Sequence, residues 1–180
     1  MNMYQVVNAN AYNGANSLLG IVKELTLPNI SFQFQDHRNL GMIGTVQLFS
    51  GIEAMEATVT WASLIPSEII KYGHPRKMIT MTCYSDLEDF SLITPEDGTT
   101  PVQDTSSLKI STILKGFIKT YPLGGFVPGE MVSDVTTTIS CIYVSQSVGT
   151  DLITEIDVMN NTYKIGDESV MADISANIGT

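Results

Sequence analysis

The sequence has little of what an enzyme or a cross-linked secreted protein would need. Only two cysteines, Cys83 and Cys141, occur in 180 residues, and both lie inside apolar alternating runs. That setting favours buried core side chains over a disulfide or a ligand pair. The two histidines, His37 and His74, show no ligand spacing to a cysteine or a carboxylate. These shortages predict a protein that folds without cross-links in a reducing cytoplasm.

Basic residues are also scarce, because nine lysines and arginines face 19 acids and the net charge is −10. Such a balance argues against a protein that holds nucleic acid by neutralising phosphates. No apolar run approaches the roughly 20 residues of a membrane span, and the first residues, MNMYQVVNANAYNG, do not resemble an export signal. We therefore expect a soluble protein of one domain, residues 1–180, without membrane insertion.

No group of residues in the sequence has the pattern of a reaction centre. The acids Asp86, Glu88 and Asp89 could attract a hard cation such as calcium, but they lack the alternating oxygen ligands and central glycine of a known calcium loop. The glycine segments GMIG and GFVPG lack the lysine and hydroxyl residue of a phosphate-binding loop. We predict that the protein is not an enzyme and has neither a cofactor nor a metal site.

What the sequence does have is alternation of apolar and polar residues. In MEATVTW, residues Met55 to Trp61, every second side chain is apolar, which is typical of a half-buried antiparallel strand. The same rhythm appears in SFQFQ, ITMTCY and DVTTTISCIY. Further strands are predicted over 21–27, 44–49, 108–121 and 152–158. The predicted fold is mainly β, a sandwich or barrel of about eight strands.

Two short helices are predicted beside these strands. SLIPSEIIKYGHP has Pro66 and Glu68 in its first turn and ends at Gly73 and Pro75. GDESVMADISANIG has Asp167 and Glu168 where a helix N-terminus favours acids, followed by a short apolar face. The second helix would be marginal alone, so it needs a partner surface.

Charge is distributed unevenly along the chain. Residues 105–129 contain three lysines, Lys109, Lys115 and Lys119, and no acid, whereas residues 130–180 contain eight acids and only Lys164 as a base. The simple interpretation is two solvated faces. The alternative is a pair of complementary patches that meet between copies of the chain.

Two blocks of the sequence resemble the major tail tube proteins of contractile-tailed bacteriophages. The first is VKELTLPNISFQFQDHRNLGMIGTVQLFSGIEAMEATVTW, residues 22–61, where a glycine-punctuated loop lies between strands and an alternating strand ends on tryptophan. The second is ITEIDVMNNTYKIGDESVMADISANIG, residues 153–179, with an acid pair, an asparagine, a short strand and a helix. Unlike the family members, this chain has no arginine in the last helix.

The resemblance implies a β-sandwich-like subunit with a short flanking helix and a C-terminal helix. Six such subunits would form a ring, their strands would join into one large barrel, and the rings would stack into a tube inside a contractile sheath. The tube would be the conduit for DNA ejection into the host cell. Within the domain, residues 39–52 would be an inter-ring loop, 94–107 a surface loop, and 152–180 a C-terminal arm.

The resemblance and the residue pattern together give three sets of candidate residues. The inter-ring stacking candidates are Asn39, Leu40, Gly41, Met42 and Gly44. The candidates for the channel wall are Glu56, Thr58, Thr60, Thr136, Thr138 and Ser140. The candidate subunit contacts are Lys109, Lys115, Lys119, Glu155, Asp157, Asp167 and Glu168.

The implied partners are other copies of the chain, the tail sheath protein, the tape measure protein, and the baseplate and tail terminator proteins. Genomic DNA would pass through the lumen without specific binding. The protein would be part of the virion tail and would be assembled in the bacterial cytoplasm. Two alternatives stay open on the sequence alone: the inner tube of a phage-tail-like bacteriocin or injection system, and a monomeric β-barrel that binds a small ligand.

Overall fold

The computed structural model describes residues 4–63, 70–89, 92–93, 102–103, 106–121, 123–124 and 135–171. Nearly all of the regular structure in these residues is antiparallel β-sheet, which confirms the predicted fold class. The strands of the first half are β1 (Tyr4–Asn13), β2 (Asn16–Ser17), β3 (Val22–Thr26), β4 (Phe32–His37), β5 (Val46–Ile52), β6 (Met55–Trp61) and β7 (Ile79–Asp89). Those of the second half are β8 (Leu92–Ile93), β9 (Val102–Gln103), β10 (Ser107–Thr120), β11 (Val135–Val148), β12 (Asp151–Asp157), β13 (Thr162–Ile165) and β14 (Glu168–Ser169).

The long strand β11 organises the largest sheet, because one of its edges pairs with two strands in succession. Its first half, Val135 to Cys141, pairs with β6, and its second half, Tyr143 to Val148, pairs with β12. Its other edge pairs with β10, and the sheet continues through β7 to β1. Strand β3 extends the β6 side, and β13 and β14 extend the β12 side.

The core lies against one face of this sheet. The alternation predicted for β6 is observed, since Met55, Ala57, Val59 and Trp61 are buried. The ring of Tyr72 packs edge to face on Trp61, with 4.9 Å between the ring centroids. Buried side chains from β7, β10 and β11 complete the same layer: Ile79, Met81, Leu114, Ile118, Ile139 and Cys141. Burial of each larger member stabilises the fold by about 1.5–3 kcal/mol.

All eight strands predicted from the sequence are present. The chain also forms strands that the apolar pattern did not predict. The clearest is β1, YQVVNANAYN, which pairs with β7 over most of its length. Its asparagines are poor strand formers, and small Ala9 and Ala11 occupy the positions that alternate with them, so the apolar signal is weak. The short strands β2, β8, β9 and β14 were also not predicted from alternation.

The two predicted helices have different outcomes. Residues 70–72 are helical and are followed by a turn at Gly73, as expected, while residues 64–69 lie outside the described part. A helix that begins at Asp167 and Glu168 is wrong, because Glu168–Ser169 form β14 and pair with Lys164 and Ile165. The backbone N–H of Val170 donates to the carbonyl of Tyr163 at 2.8 Å, so pairing with β13 satisfies groups that a helix would otherwise use. Residues 172–180 lie outside the described part.

Two predicted loop boundaries need correction. The segment 39–52 is a loop only up to residue 45, because β5 begins at Val46. Most of the predicted surface loop at 94–107 lies outside the described residues, but Val102–Gln103 within it pair with Leu92–Ile93. No helix in the described part of the chain is long and apolar enough to cross a membrane.

Candidate functional site: a polar sheet face and a projecting hairpin

The six side chains predicted for a channel wall lie next to one another on two paired strands. In the register of β6 and β11, Glu56 is opposite Ser140, Thr58 is opposite Thr138, and Thr60 is opposite Thr136. Directly paired residues of an antiparallel sheet point to the same face. All six therefore belong to the face of the large sheet that is opposite the core, which we call the polar face.

The polar face continues onto the neighbouring strands on both sides. On β3, Glu24 is opposite Thr60 and Thr26 is opposite Thr58. On β10, the hydroxyl of Thr120 accepts a hydrogen bond from the backbone N–H of Thr138 at 3.0 Å. The centre of the polar face is thus covered by small hydroxyl side chains and by acidic side chains.

Each of the three lysines from the base-rich segment contacts a partner within its own chain. The ammonium group of Lys119 forms an ion pair with Glu56, and both side chains are roughly half exposed. The ammonium of Lys109 lies 3.8 Å from the ring centroid of Tyr84, and that of Lys115 lies 4.6 Å from the ring centroid of Tyr143. Such cation–π contacts contribute about 0.5–1 kcal/mol where they are exposed to solvent.

Tyr143 connects Lys115 to an acid on the next strand. Its hydroxyl donates a hydrogen bond to Glu155 at 3.0 Å, and Lys164 pairs with the second carboxylate oxygen of Glu155 at 3.2 Å. Burial is the largest cause that raises the pKa of Tyr143, a hydrogen bond with Ser145 opposes it, and the negative charge of Glu155 raises it further. The tyrosine therefore stays a neutral donor at physiological pH.

The remaining acids among the candidate subunit contacts differ in their surroundings. Asp157 caps the turn after β12, since its carboxylate accepts hydrogen bonds from the backbone N–H groups of Met159 and Asn160 at 3.0 and 3.1 Å. Asp167 and Glu168 are exposed at the turn between β13 and β14. Contacts of these lysines and acids with a neighbouring copy stay a prediction.

The strands β4 and β5 form a separate two-stranded sheet that is exposed along most of its length. Its aromatic rings contact one another edge to face. The ring centroid of Phe49 lies 6.0 Å from that of Phe32 and 6.3 Å from that of Phe34. At its base, Phe32 also meets Tyr163 of β13 at 6.1 Å. Seven large apolar side chains of this hairpin are nevertheless exposed: Phe32, Phe34, Leu40, Ile43, Val46, Leu48 and Phe49.

The hairpin tip, residues 38–45, contains the predicted stacking residues. The backbone N–H of Met42 donates to the carbonyl of Asn39 at 3.2 Å, which closes a tight turn. Leu40 and Ile43 are fully exposed, at 107% and 106% of their reference areas. Gly41 has a φ of +90°, where a side chain would be strained, whereas a Cβ added at Gly44 would meet no described atom within 4 Å. Ile43 was not among the predicted stacking residues, although the segment GMIG places it beside Met42 and Gly44.

The hairpin strands also carry apolar side chains that do not face a core. Apolar residues in FQFQ and VQLFS are exposed, and they include neighbouring positions of β5 such as Leu48 and Phe49. Scattered exposed apolar side chains are ordinary, but a group confined to one projecting element indicates a contact surface.

The described residues also include acidic and thiol side chains, which are kinds of group that can perform chemistry. No three histidine, cysteine or acidic side chains among them are grouped to hold a metal ion. Asp86 and Glu88 lie on one face of β7 and Asp89 on the other, since successive strand residues alternate. Both cysteines are free thiols, and burial raises the pKa of Cys83 and raises that of Cys141 to about 11. Buried thiols with raised pKa values are poor nucleophiles.

Comparisons with known proteins agree with the resemblance noted in the sequence. The family model described as phage tail tube protein FII matches residues 4–179, nearly the whole chain. A search of the curated proteins gave no match.

Proposed function

Because this chain belongs to the phage tail tube protein FII family, a family of structural proteins of the virion tail, we propose that its copies form stacked hexameric rings. The stacked rings build the inner tube of a contractile tail, and DNA leaves the virion through that tube. The subunit assembles in the host cytoplasm with the sheath, tape measure, baseplate and terminator proteins as partners. Its role is mechanical, and it performs no reaction on the DNA.

The observation that carries this proposal is the projecting β4–β5 hairpin. A lone two-stranded hairpin is marginally stable in water, and this one leaves seven large apolar side chains exposed. Packing against another copy would remove this apolar surface from water and so stabilise the hairpin. A subunit of a polymer has such a copy beside it. We assign the tip, with Leu40 and Ile43 at its end, to contact with the adjacent ring.

The polar face is assigned to the channel wall. Its central side chains are hydroxyl groups and carboxylates, and the ammonium group of Lys119 beside them is paired with Glu56. A wall of free lysines would release counterions on contact with DNA and would hold the duplex. A neutral or acidic wall leaves the duplex mobile, because like charges at close approach repel by only about 1 kcal/mol in water.

The contacts within a ring are assigned to exposed charges of the large sheet. Lys109 and Lys119 on the interior strand β10 remain exposed despite their partners, and Asp167 and Glu168 are exposed at the edge that β14 forms. Attraction between such groups on two copies would orient the subunits as they meet. Exposed pairs of this kind contribute specificity more than stability, about 0–1 kcal/mol each.

A double variant of the hairpin tip tests the proposal. Leu40→Ser with Ile43→Ser should leave the subunit folded, because neither side chain is buried, and should prevent tube formation as seen by electron microscopy of the purified protein. The matched control is Leu19→Ser with Met159→Ser, which also removes two exposed apolar side chains but leaves the hairpin intact. Wild-type protein that stays monomeric would overturn the tube assignment, and normal tubes from the Leu40 and Ile43 variant would overturn the role of the tip.

A further inference from the structure

The turn that joins β1 to β2 contains Asn13 followed by Gly14, which is the single Asn-Gly step of the chain. We propose that this step is a modification site, at which Asn13 loses ammonia and becomes an aspartate or an isoaspartate. The fold controls the reaction through the hydrogen bond between Gly14 and Thr80. The inference does not depend on the tube assignment, because it rests on the subunit alone.

The reaction needs only groups of the chain and water. The backbone nitrogen of Gly14 loses its proton to hydroxide and attacks the side-chain carbonyl carbon of Asn13. A ring C–N bond forms, the bond from that carbon to the amide nitrogen breaks, and ammonia leaves. Water then opens the ring at one of its two carbonyl carbons. One opening gives aspartate, and the other gives isoaspartate, in which the backbone runs through the side-chain carbons.

The neighbouring residue suits this attack. Glycine has no Cβ, so no side chain stands beside the attacking nitrogen. A Cβ added at Gly14 would meet no described atom within 4 Å, and the residue is exposed to solvent. The surrounding chain therefore leaves room for the ring to form and for water to open it.

In the folded chain, however, the attacking nitrogen is held by a hydrogen bond. The backbone N–H of Gly14 donates to the carbonyl of Thr80 on β7 at 3.1 Å. This bond retains the proton that the reaction must remove, and it fixes the plane of the peptide to which the nitrogen belongs. The turn must therefore open before Gly14 can attack.

The β1–β2 turn is built to open locally. Strand β2 has only two residues, lies at the end of the sheet and is exposed. Short exposed elements at a margin open at a lower free energy than the whole domain. What closes the turn is Leu18, which is 1% exposed and whose backbone N–H donates to the carbonyl of Ala11 at 2.8 Å. The opening that frees Gly14 also exposes Leu18.

The products differ from asparagine in charge and in backbone length. Aspartate adds one negative charge to a chain whose net charge is already −10. Isoaspartate adds one backbone carbon before Gly14, so the pairs of Tyr12 with Ser17 and Asn13 with Asn16 lose their register. Leu18 follows this pairing into the core. The modification is thus an irreversible step that limits the lifetime of the folded subunit.

Peptide mapping by mass spectrometry tests the site and its control by the fold. The full chain is incubated at mildly alkaline pH, folded or in urea. In urea, Asn13 should be modified before any other asparagine, and in the folded chain its rate should be at least about tenfold lower. Asn13→Gln is the control, because its longer side chain cyclises poorly, and its position should stay unmodified. Earlier modification of another asparagine in urea would overturn the site, and equal rates in the two states would overturn the control by the fold.

A pair of core variants distinguishes local opening from global unfolding. Leu18→Ala and Ile139→Ala each truncate an apolar side chain that is 1% exposed, but Ile139 lies on β11, paired with Ala57 and away from the turn. Leu18→Ala should speed modification of Asn13 in the folded chain by at least about tenfold, whereas Ile139→Ala should leave the rate within about twofold of the wild type. Equal acceleration by both would overturn the local control. If either alanine variant does not fold, Leu18→Val and Ile139→Val give the same comparison.

Discussion

The indole nitrogen of Trp61 donates a hydrogen bond to the hydroxyl of Thr137 at 3.0 Å, across a pair of strands whose residues are 76 positions apart in the chain. Thr137 is 3% exposed, and it is one of two buried polar side chains described in the core. A buried indole N–H without an acceptor costs free energy, so this hydroxyl lets a tryptophan end the apolar face of β6.

Thr137→Val should lower the free energy of unfolding by about 1–3 kcal/mol, because the shape is kept but the indole N–H loses its acceptor. Thr137→Ser keeps the hydroxyl and loses a methyl group, which should cost about 0.8 kcal/mol. Urea denaturation followed by the fluorescence of Trp61, the single tryptophan of the chain, measures both. A serine variant as unstable as the valine variant would show that the hydrogen bond is not the important term.

Gly116 marks a point where β10 and β11 approach each other at a break in register. A Cβ added there would overlap the backbone carbonyl of Ser140. Gly116→Ala should therefore destabilise the fold by about 1–3 kcal/mol or more, since backbone must move to make room. Gly44→Ala is the control, because open space surrounds that position and its φ is not in the left-handed region. In thermal denaturation, its free energy of unfolding should change by less than about 0.5 kcal/mol.

Cys141 makes stability depend on pH in the alkaline range. Burial raises the pKa of its thiol from 9.0 to about 11 in the folded chain, against the opposing effect of a backbone hydrogen bond with Ala57. Below pH 9 both states hold the proton and nothing is lost, while between pH 9 and 11 the unfolded thiol ionises first and stability falls. The stability lost through this thiol over that range has an upper limit of about 3 kcal/mol.

Cys141→Ala removes this ionisation. The variant should be less stable than the wild type at pH 7, because a small cavity replaces the sulfur, and should lose less stability between pH 8 and pH 11. Urea denaturation at the two pH values gives the comparison, in which the other titrating groups cancel. An identical loss in both proteins would mean that the thiol does not control the alkaline slope.

The sequence predicted the faces of the central strands well, because period-two alternation depends only on local order. In MEATVTW it separated buried Met55 and Val59 from exposed Glu56. The same rule assigned Thr136 and Thr138 of β11 to the side away from the core. Alternation cannot say which strands pair, so the alignment of the two threonine rows became visible only in the register. The partners of Lys115 and Lys119 were out of reach for the same reason, since both contacts cross strands.

Strand β1 and the terminal segment differ from their predicted structures for local physical reasons. Strand β1 was missed because asparagine and alanine give a weak apolar signal, and its pairing with β7 overrides that low propensity. The terminal segment was assigned to a helix because Asp167 and Glu168 suit a helix start, whereas Gly166, with a φ of +58°, turns the chain back onto β13. A short amphipathic pattern does not decide between these outcomes when tertiary pairing is available.

Removal of residues 167–180 should separate folding from assembly. The truncated chain loses β14 and the N–H of Val170 that bonds the carbonyl of Tyr163, but β13 stays paired with β12 and the buried ring of Tyr163 stays in place. We expect a folded β subunit by circular dichroism that forms no tubes by electron microscopy. A shorter truncation, of residues 172–180, keeps β14. Comparing the two truncations shows whether assembly needs residues 167–171 or residues 172–180. If tubes of normal length form without residues 167–180, the exposed acids Asp167 and Glu168 have no part in subunit contacts.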